Sequence, residues 1–143
     1  MEIVVLAAGK GTRMHSDAPK VMHKIGGKPM LEHVLDTANE LNPTRIHVVI
    51  GFGGEMVQSA MAEHLAADKI NWVVQTEQLG TGHAVAQALP EIDVHAKSNP
   101  VLVLFGDVPL ITDSTLERVL AGSQDDSLSL LTVHAKDLSL IHI

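Results

Sequence analysis

Five short, largely apolar runs alternate along this chain with segments of helical periodicity. The runs span residues 3–8, 46–51, 70–74, 101–105 and 128–133, and each stops at a glycine or a polar residue. An apolar run of this length is typical of a strand that is covered on both faces. Because such strands are separated here by helices, the pattern favours a parallel sheet with right-handed crossovers.

Four intervening segments are predicted to be helices. Apolar residues recur at helical spacing at positions 30, 31, 34, 35, 38 and 41, where Pro29 suits the first turn, and again at positions 56, 57, 60, 61 and 65. A third helix is predicted over about residues 81–89, stopped by Pro90, and a fourth after the capping residues Thr112, Asp113 and Ser114. The order predicts an α/β fold, a Rossmann-like three-layer sandwich.

Composition narrows the class of function. The 143 residues suit one domain, and 10 Lys plus Arg against 17 Asp plus Glu give a net charge of −7 with three aromatic residues, which argues against nucleic-acid binding. Cys is absent, and the nine His lack metal-ligand spacing. The first apolar run is too short for a membrane span and lacks the basic start of a signal peptide, so we expect a cytoplasmic protein without membrane contacts.

The loop after the first run is the first candidate ligand site. It contains Gly9 and Gly11 together with the cations Arg13 and Lys20. Ligands of open α/β sheets bind beyond the carboxyl ends of the strands, where glycines let backbone N–H groups approach phosphate oxygens. The dinucleotide fingerprint fails because Met14 stands where its third glycine belongs, and the P-loop spacing is also absent. The alternative is a tight turn with solvated charges.

Two further strand ends carry candidate groups. Asp107 follows the run at 101–105 and is a candidate magnesium ligand, although it could simply open the turn before Pro109. Gln75 follows the run at 70–74, and its amide offers one donor and one acceptor to a nucleobase, with Gly80 and Thr81 nearby. The alternative there is an ordinary capped helix, in which a neighbouring histidine at position 83 orients the segment or packs in the core.

Taken together, four motifs resemble sugar-phosphate nucleotidyltransferases, and within them the bacterial N-acetylglucosamine-1-phosphate uridyltransferases. The motifs are LAAGKGTRM at residues 6–14, PKV at 19–21, QTEQLGTGHA at 75–84 and FGDVPL at 105–110. The resemblance covers residues 2 to about 137, and the stretch 77–84 is its most discriminating part.

The resemblance implies uridylyl transfer from UTP to N-acetylglucosamine 1-phosphate, giving UDP-N-acetylglucosamine and pyrophosphate for peptidoglycan and lipopolysaccharide synthesis in the cell envelope. It implies Mg²⁺ held by Asp107, Lys20 near the reacting phosphate and Arg13 on the departing pyrophosphate. Gln75 would read uracil. The implied substrate-binding residues are Leu6, Ala7, Ala8, Gly9, Gly11, Lys20, Gln75, Gly80, Thr81, Phe105, Gly106 and Asp107.

The resemblance also implies a longer, bifunctional parent protein. Residues 1–137 would be the N-terminal part of a truncated nucleotidyltransferase domain, and 138–143 an atypical tail. The C-terminal half of the domain and an acetyltransferase β-helix, through which the parent would be a homo-oligomer, are expected to be absent. Met22 and Phe105 are mild departures from the family's common Leu and Tyr. We expect such a fragment to expose apolar surface and to have weak activity or none.

Other functions remain open at this point. A cytidylyl- or molybdenum-cofactor-type nucleotidyltransferase shares the glycine-rich loop, although Gln75 and the stretch 80–83 argue against it. A noncatalytic nucleotide-binding module would keep the same residues without turnover. A purely structural α/β domain would require all three clusters at strand ends to coincide by chance.

Overall fold

The fold is seen in a computed structural model that describes residues 1–11, 16–64, 66–93, 100–124 and 127–132. Within these ranges the strands are β1 (Glu2–Leu6), β2 (Lys24–Ile25), β3 (Lys28–Pro29), β4 (Arg45–Ile50), β5 (Ile70–Val74) and β6 (Val101–Phe105). The α-helices are α1 (Met30–Glu40), α2 (Gly54–Ala60), α3 (Thr81–Ala88) and α4 (Asp113–Ala121). Short 3₁₀ turns span Lys20–Met22, Ala67–Lys69 and Leu89–Glu91.

Four of the strands form a parallel sheet in the order β5-β4-β1-β6. The central strand β1 is in register with both neighbours, so that Leu6 lies opposite Val49 of β4 and Phe105 of β6. The chain runs outward from β1 through β4 to β5 and then crosses to β6 on the other side. This arrangement confirms the predicted α/β fold and places a topological switch point between β1 and β6.

Helices cover the sheet on both faces. On one face, buried Ile3 and Val5 of β1 pack in a cluster with residues of α1, α2 and α4, including Leu35 and Leu116. On the other face, Val4 packs in a second cluster with residues of α3. Side chains of successive strand residues point to opposite faces, so β1 serves both clusters, and the predicted three layers are confirmed.

The last strand of the sheet is covered on one face only. In β6 the side chains of Leu102 and Leu104 are buried, whereas Val101, Val103 and Phe105 are about half exposed on the opposite face. β6 pairs with β1 along one edge, and among the described residues no strand pairs with its other edge. The result is an apolar surface at one side of the sheet.

The fifth apolar run is not a strand in its described part. Residues 127–132 have no regular secondary structure, and Leu128, Leu130 and Leu131 are exposed; the remaining position of that run, 133, lies outside the described residues. A strand is stable only when its backbone groups pair with a neighbour, and an apolar sequence does not by itself supply one. The prediction of a fifth strand is therefore wrong over 128–132.

The helices match the predicted positions with small shifts. Pro29 is the N-cap of α1 rather than a residue of its first turn, and α2 already ends at Ala60. Pro90 lies in the 3₁₀ turn that follows α3, and Thr112 caps α4 by accepting a hydrogen bond from the backbone N–H of Thr115. In the described residues no helix is long and apolar enough to cross a membrane.

The hairpin of β2 and β3 was not predicted. Gly26 and Gly27 form its turn with φ values of +61° and +87°. A two-residue hairpin turn of type I′ requires positive φ at both central positions, which glycine adopts without strain. The Gly-Gly pair between short strand candidates was the available signal for this hairpin.

A polar cluster joins β3, α1 and the segment after α2. Asp36 accepts hydrogen bonds from Lys28 Nζ and from His64 Nε2, the latter at 2.9 Å. The backbone N–H of Ala66 donates to His64 Nδ1 at 3.1 Å, so the ring hydrogen of a neutral His64 is on Nε2. Burial raises the pKa of Asp36, but the hydrogen bonds from Lys28 and His64 lower it by more, and the pKa lies below its usual value.

We expect Asp36→Asn to destabilise the protein in a pH-dependent way. A carboxyl whose pKa is lower in the folded state stabilises the fold above its unfolded pKa, and this contribution is lost as the pH falls through the folded pKa. Urea unfolding should therefore show a lower midpoint for Asp36→Asn at pH 7 and a gap from wild type that narrows below about pH 4. Glu63→Gln, which neutralises an exposed carboxylate, is the control. A gap that stays constant down to pH 2.5 would contradict the assignment.

Candidate functional site

A cleft lies at the carboxyl edge of the sheet, beside the first turn of α3. It has a volume of about 320 Å³. Its walls come from the ends of β1, β5 and β6, from the 3₁₀ turn at Lys20–Met22 and from α3. The lining residues are Leu6, Ala8, Gly9, Lys20, Val21, Gln75, Gln78, Gly80, Thr81, Ala84, Phe105 and Asp107.

The cleft brings together most of the residues predicted to bind substrate. Ala7, Gly11 and Gly106 do not line it; Ala7 is buried behind it, and its backbone N–H donates to the Val49 carbonyl at 2.8 Å. Arg13 lies outside the described residues. Three further lining residues, Val21, Gln78 and Ala84, were not predicted as site residues, although all three lie within the motifs that carried the resemblance.

The two charged groups of the cleft form an ion pair. Lys20 Nζ donates to Asp107 Oδ2 at 2.5 Å, although the two residues are 87 positions apart in sequence. Both side chains are open to solvent, with 40% of Lys20 and 31% of Asp107 exposed. The pair joins the segment that follows β1 to the turn that follows β6, across the topological switch point. An incoming anion can reach this cation from solvent.

Two of the predicted glycines pack against the site from behind. Gly11 has φ +62°, and a Cβ there would lie 2.7 Å from Lys20 Cβ. Gly106 donates its N–H to the Leu6 carbonyl at 2.9 Å, and a Cβ on it would lie 3.1 Å from that oxygen. Both contacts are too close for any larger residue without a shift of the backbone or of Lys20. These glycines therefore shape the cleft through close packing.

The amide of Gln75 is held in one orientation. The side chain is 4% exposed, and its Nε2 lies 3.3 Å from the Gly80 carbonyl and 2.9 Å from His83 Nδ1. A carbonyl oxygen only accepts, so the Gly80 contact places the NH₂ group on this side and makes His83 Nδ1 an acceptor. In a neutral ring His83 Nε2 then carries the hydrogen. The Gln87 amide nitrogen lies 3.1 Å from it and only donates, so this tautomer requires the Gln87 amide to turn its oxygen towards His83. The Gln75 oxygen is the end that remains for a ligand.

The N-terminus of α3 also faces the cleft. Gly80 is its N-cap with φ +104°, a value that strongly favours glycine, and its carbonyl accepts the Ala84 N–H at 3.1 Å. No side chain caps this end of the helix. The first backbone N–H groups of a helix have no partners within it, and they carry a partial positive charge. They offer hydrogen-bond donors to an electron-rich ligand beside Gln75.

The cleft contains one candidate metal ligand. Among the described residues there is no group of three or more His, Cys, Asp or Glu that could hold a metal ion by itself. Mg²⁺ binds proteins through one or two carboxylates, with substrate phosphates and water as its other ligands. Asp107, a carboxylate at the mouth of a cleft with a cation beside it, fits that mode of binding.

We expect the Lys20–Asp107 pair to contribute little to stability. Exposed ion pairs are worth about 0 to 1 kcal/mol, because solvent screens the charges and both side chains lose conformational freedom. A double-mutant cycle of Lys20→Met and Asp107→Asn in urea should therefore give a coupling of less than about 1 kcal/mol. A coupling well above that range would show that the pair holds the fold together.

Comparison with known proteins finds close relatives among the bifunctional GlmU proteins. The chain is 58% identical over 137 residues to the bifunctional protein GlmU of Pseudomonas aeruginosa strain LESB58 and 55% identical over 137 residues to that of Pseudomonas putida strain GB-1. Each alignment covers 96% of this chain and 28% of the relative. The chain thus spans little more than a quarter of the length of these relatives.

Solved structures share the fold at lower identity. A nucleotidyl transferase from Methanothermobacter thermautotroptrophicus superposes with a TM-score of 0.70 at 20% identity, covering 85% of this chain and 56% of that one. A UDP-glucose pyrophosphorylase complexed with UDP-glucose superposes with a TM-score of 0.66 at 21% identity, covering 84% and 52%. Residues 3–138 match the family described as the MobA-like NTP transferase domain. With its parallel sheet and its cleft at the carboxyl edge, this chain belongs to the MobA-like NTP transferase domain family.

Proposed function

We propose that this chain forms the nucleotide-binding part of a sugar-phosphate uridylyltransferase that uses UTP and N-acetylglucosamine 1-phosphate. The observation that carries the proposal is the convergence of three groups from different strand ends on one cleft: Lys20, Asp107 and the oriented amide of Gln75. The identity to the two GlmU proteins supports the sugar nucleotide. The chain spans 28% of those proteins.

The orientation of Gln75 supports uracil as the base. Its side-chain oxygen is available as an acceptor, and uracil carries an N–H at ring position 3, whereas cytosine has an acceptor there. An acceptor in the protein pairs with the uracil N–H and faces a lone pair in cytosine. A site built to hydrogen-bond one group discriminates strongly against an analogue that lacks it, because its own polar atom is left unpaired.

The apolar wall and the glycine loop suit the rest of a nucleotide. Leu6 and Phe105 line the cleft beside Gly9, which is exposed and whose position leaves space around its backbone. A flat base packs against apolar side chains, and backbone N–H groups of a glycine-rich loop bind phosphate oxygens. Lys20 supplies a point charge at the same place.

The proposed reaction is an in-line displacement at the α-phosphorus of UTP. A phosphate oxygen of the sugar phosphate forms the new P–O bond, the bond from the α-phosphorus to the bridging oxygen breaks, and pyrophosphate leaves. No covalent intermediate with the protein is needed. Lys20 would stabilise the charge on the reacting phosphate, and Arg13 would assist on the pyrophosphate. Mg²⁺, which Asp107 would hold, supplies charge neutralisation on the phosphates when it is bound.

The proposal includes an organisation for the parent protein. Residues 1–137 would form the N-terminal part of the nucleotidyltransferase domain. The parent would also carry an acetyltransferase domain and act as a cytoplasmic homo-oligomer in cell-envelope synthesis. The family resemblance and the greater length of the GlmU relatives support this organisation.

We expect UTP binding to depend on Lys20. Titration calorimetry with Mg²⁺ and UTP should show an affinity for Lys20→Ala that is about tenfold lower than for wild type, because a charge-assisted contact to phosphate is lost. Lys24→Ala removes an exposed lysine of the β2–β3 hairpin and should leave the affinity unchanged. Equal losses in both variants would argue against a specific phosphate contact.

Pyrophosphate release tests the complete reaction. With UTP, N-acetylglucosamine 1-phosphate and Mg²⁺, we expect this chain to turn over weakly or not at all, because it covers only about half of the matched nucleotidyltransferase structures. Release that is confined to UTP and lost in Lys20→Ala and Asp107→Ala would establish the proposed chemistry in this chain. Equal release from CTP would contradict the assignment of uracil.

We expect Gln75→Leu to reduce base selectivity. The substitution removes the acceptor for the uracil N–H, so the affinity for UTP should fall about tenfold while the affinity for CTP changes little. Gln78→Leu alters another cleft-lining amide three residues away and is the matched control. If Gln75→Leu weakens UTP and CTP equally, then Gln75 shapes the cleft without reading the base.

A further inference from the structure

The segment that carries Lys20 is enclosed by glycines from three different strand ends. A Cβ built on Gly53, in the loop after β4, would lie 2.5 Å from Pro19 Cγ. One built on Gly11, after β1, would lie 2.7 Å from Lys20 Cβ, and one on Gly106, after β6, would lie 3.2 Å from Val21 Cγ1. Residues 19 to 21 thus lie against three different loops. A Cβ would overlap with them at Gly53 and Gly11 and would be tightly packed at Gly106.

Of these three glycines, only Gly53 lies outside the four motifs that carry the family resemblance. It has φ +67° and ψ 23° and is the N-cap of α2. Its neighbour Pro19 is buried, and the proline Cδ would also lie 3.2 Å from a Cβ at position 53. A flexible side chain could rotate away from such a contact, whereas the ring of proline can only change its pucker. A larger residue at position 53 therefore forces a shift of the Pro19 ring, of the backbone at position 19 or of the loop at position 53.

The loop that contains Gly53 cannot easily move away from this contact. A Cβ on Gly51, two residues earlier, would lie 3.0 Å from the Ala8 carbonyl oxygen. Lys10 Nζ lies 5.6 Å from the centre of the Phe52 ring, a cation–π contact between the loops after β1 and β4. The two loops therefore approach each other closely at the two positions that precede Gly53.

A displacement of Pro19 reaches Lys20 through a short turn. The Pro19 carbonyl accepts the Met22 N–H at 2.9 Å, and the Lys20 carbonyl accepts the His23 N–H at 3.2 Å, so the turn moves as a unit. On its far side, Gly11 is already close to Lys20 Cβ. We propose that Gly53 is a positioning residue for Lys20, acting through the ring of Pro19. The consequence for nucleotide binding rests on the proposed phosphate contact of Lys20.

Three variants separate the steric contact from backbone strain. Gly53→Ala introduces both the strain of positive φ and the overlap with Pro19. Adding Pro19→Ala removes Cγ and Cδ, and the nearest remaining ring position, Cβ, is 3.8 Å from the new methyl group. Gly26→Ala is the control for strain, because Gly26 has φ +61° and no heavy atom within 4 Å of a built Cβ.

The first readout needs no nucleotide. In protein labelled with ¹³C-lysine, the signal of the Lys20 ε-methylene is assigned by its loss in Lys20→Arg, and Asp107→Asn shows its position without the ion pair. We expect Gly53→Ala to move the signal towards that of Asp107→Asn, Gly53→Ala with Pro19→Ala to return it, and Gly26→Ala to leave it in place. A signal that stays in place in Gly53→Ala, or that moves equally in Gly26→Ala, overturns the proposal.

The second readout is the affinity for UTP with Mg²⁺. We expect Gly53→Ala to lower it about tenfold in the wild-type background, as expected for a lost contact to a charged group, and to have no further effect in Lys20→Ala. An equal loss in both backgrounds overturns the link to Lys20. If wild type binds no UTP while the Lys20 signal behaves as expected, the proposed function fails and the positioning role stands.

The third readout is whether each variant folds, measured by circular dichroism. If Gly53→Ala is unfolded, its recovery on adding Pro19→Ala supports the steric link in the same way. If both variants are unfolded while Gly26→Ala folds, the contact with Pro19 is not the constraint at position 53, and the proposal is overturned.

Discussion

The parallel pairing of β1 between β4 and β6 is the constraint on which the rest of the structure depends. Because the strands run in the same direction, their carboxyl ends meet at one edge, where Leu6 lies opposite Val49 and Phe105. Every loop that leaves this edge begins within one strand spacing of its neighbour. Residues as distant in sequence as Lys20 and Asp107 thereby come into contact without any long-range sequence signal.

The elements of the fold were largely predictable because each of them has an apolar surface to bury. The four runs that became strands of the sheet are apolar at nearly every position, and α1 has its apolar residues on one side, so each element had only one way to bury its surface. The run at 128–133 had the same composition but no strand among the described residues to pair with. Strand pairing depends on a neighbouring strand from another part of the chain, so a local sequence pattern cannot predict it.

For the candidate site, the sequence predicted which residues take part but not how the glycines pack. The motifs selected Lys20, Gln75 and Asp107, and the structure places all three at one cleft. The motifs did not show that Gly11 and Gly106 face the protein and not the cleft, because a glycine in a sequence does not reveal which atom approaches it. Gly53 illustrates the same limit: its neighbour Pro19 is 34 positions away and belongs to another loop.

Close packing, and not the ion pair, sets the position of Lys20. An ion pair with 40% and 31% of its side chains exposed contributes at most about 1 kcal/mol, which is too little to hold a long side chain against a competing anion. Gly53 lies against the ring of Pro19, and Gly11 lies against Lys20 Cβ, an atom whose position is fixed by the backbone. This division suits a phosphate-binding lysine: the stem is fixed by packing, while the ammonium group is free to exchange a weakly held carboxylate for a ligand.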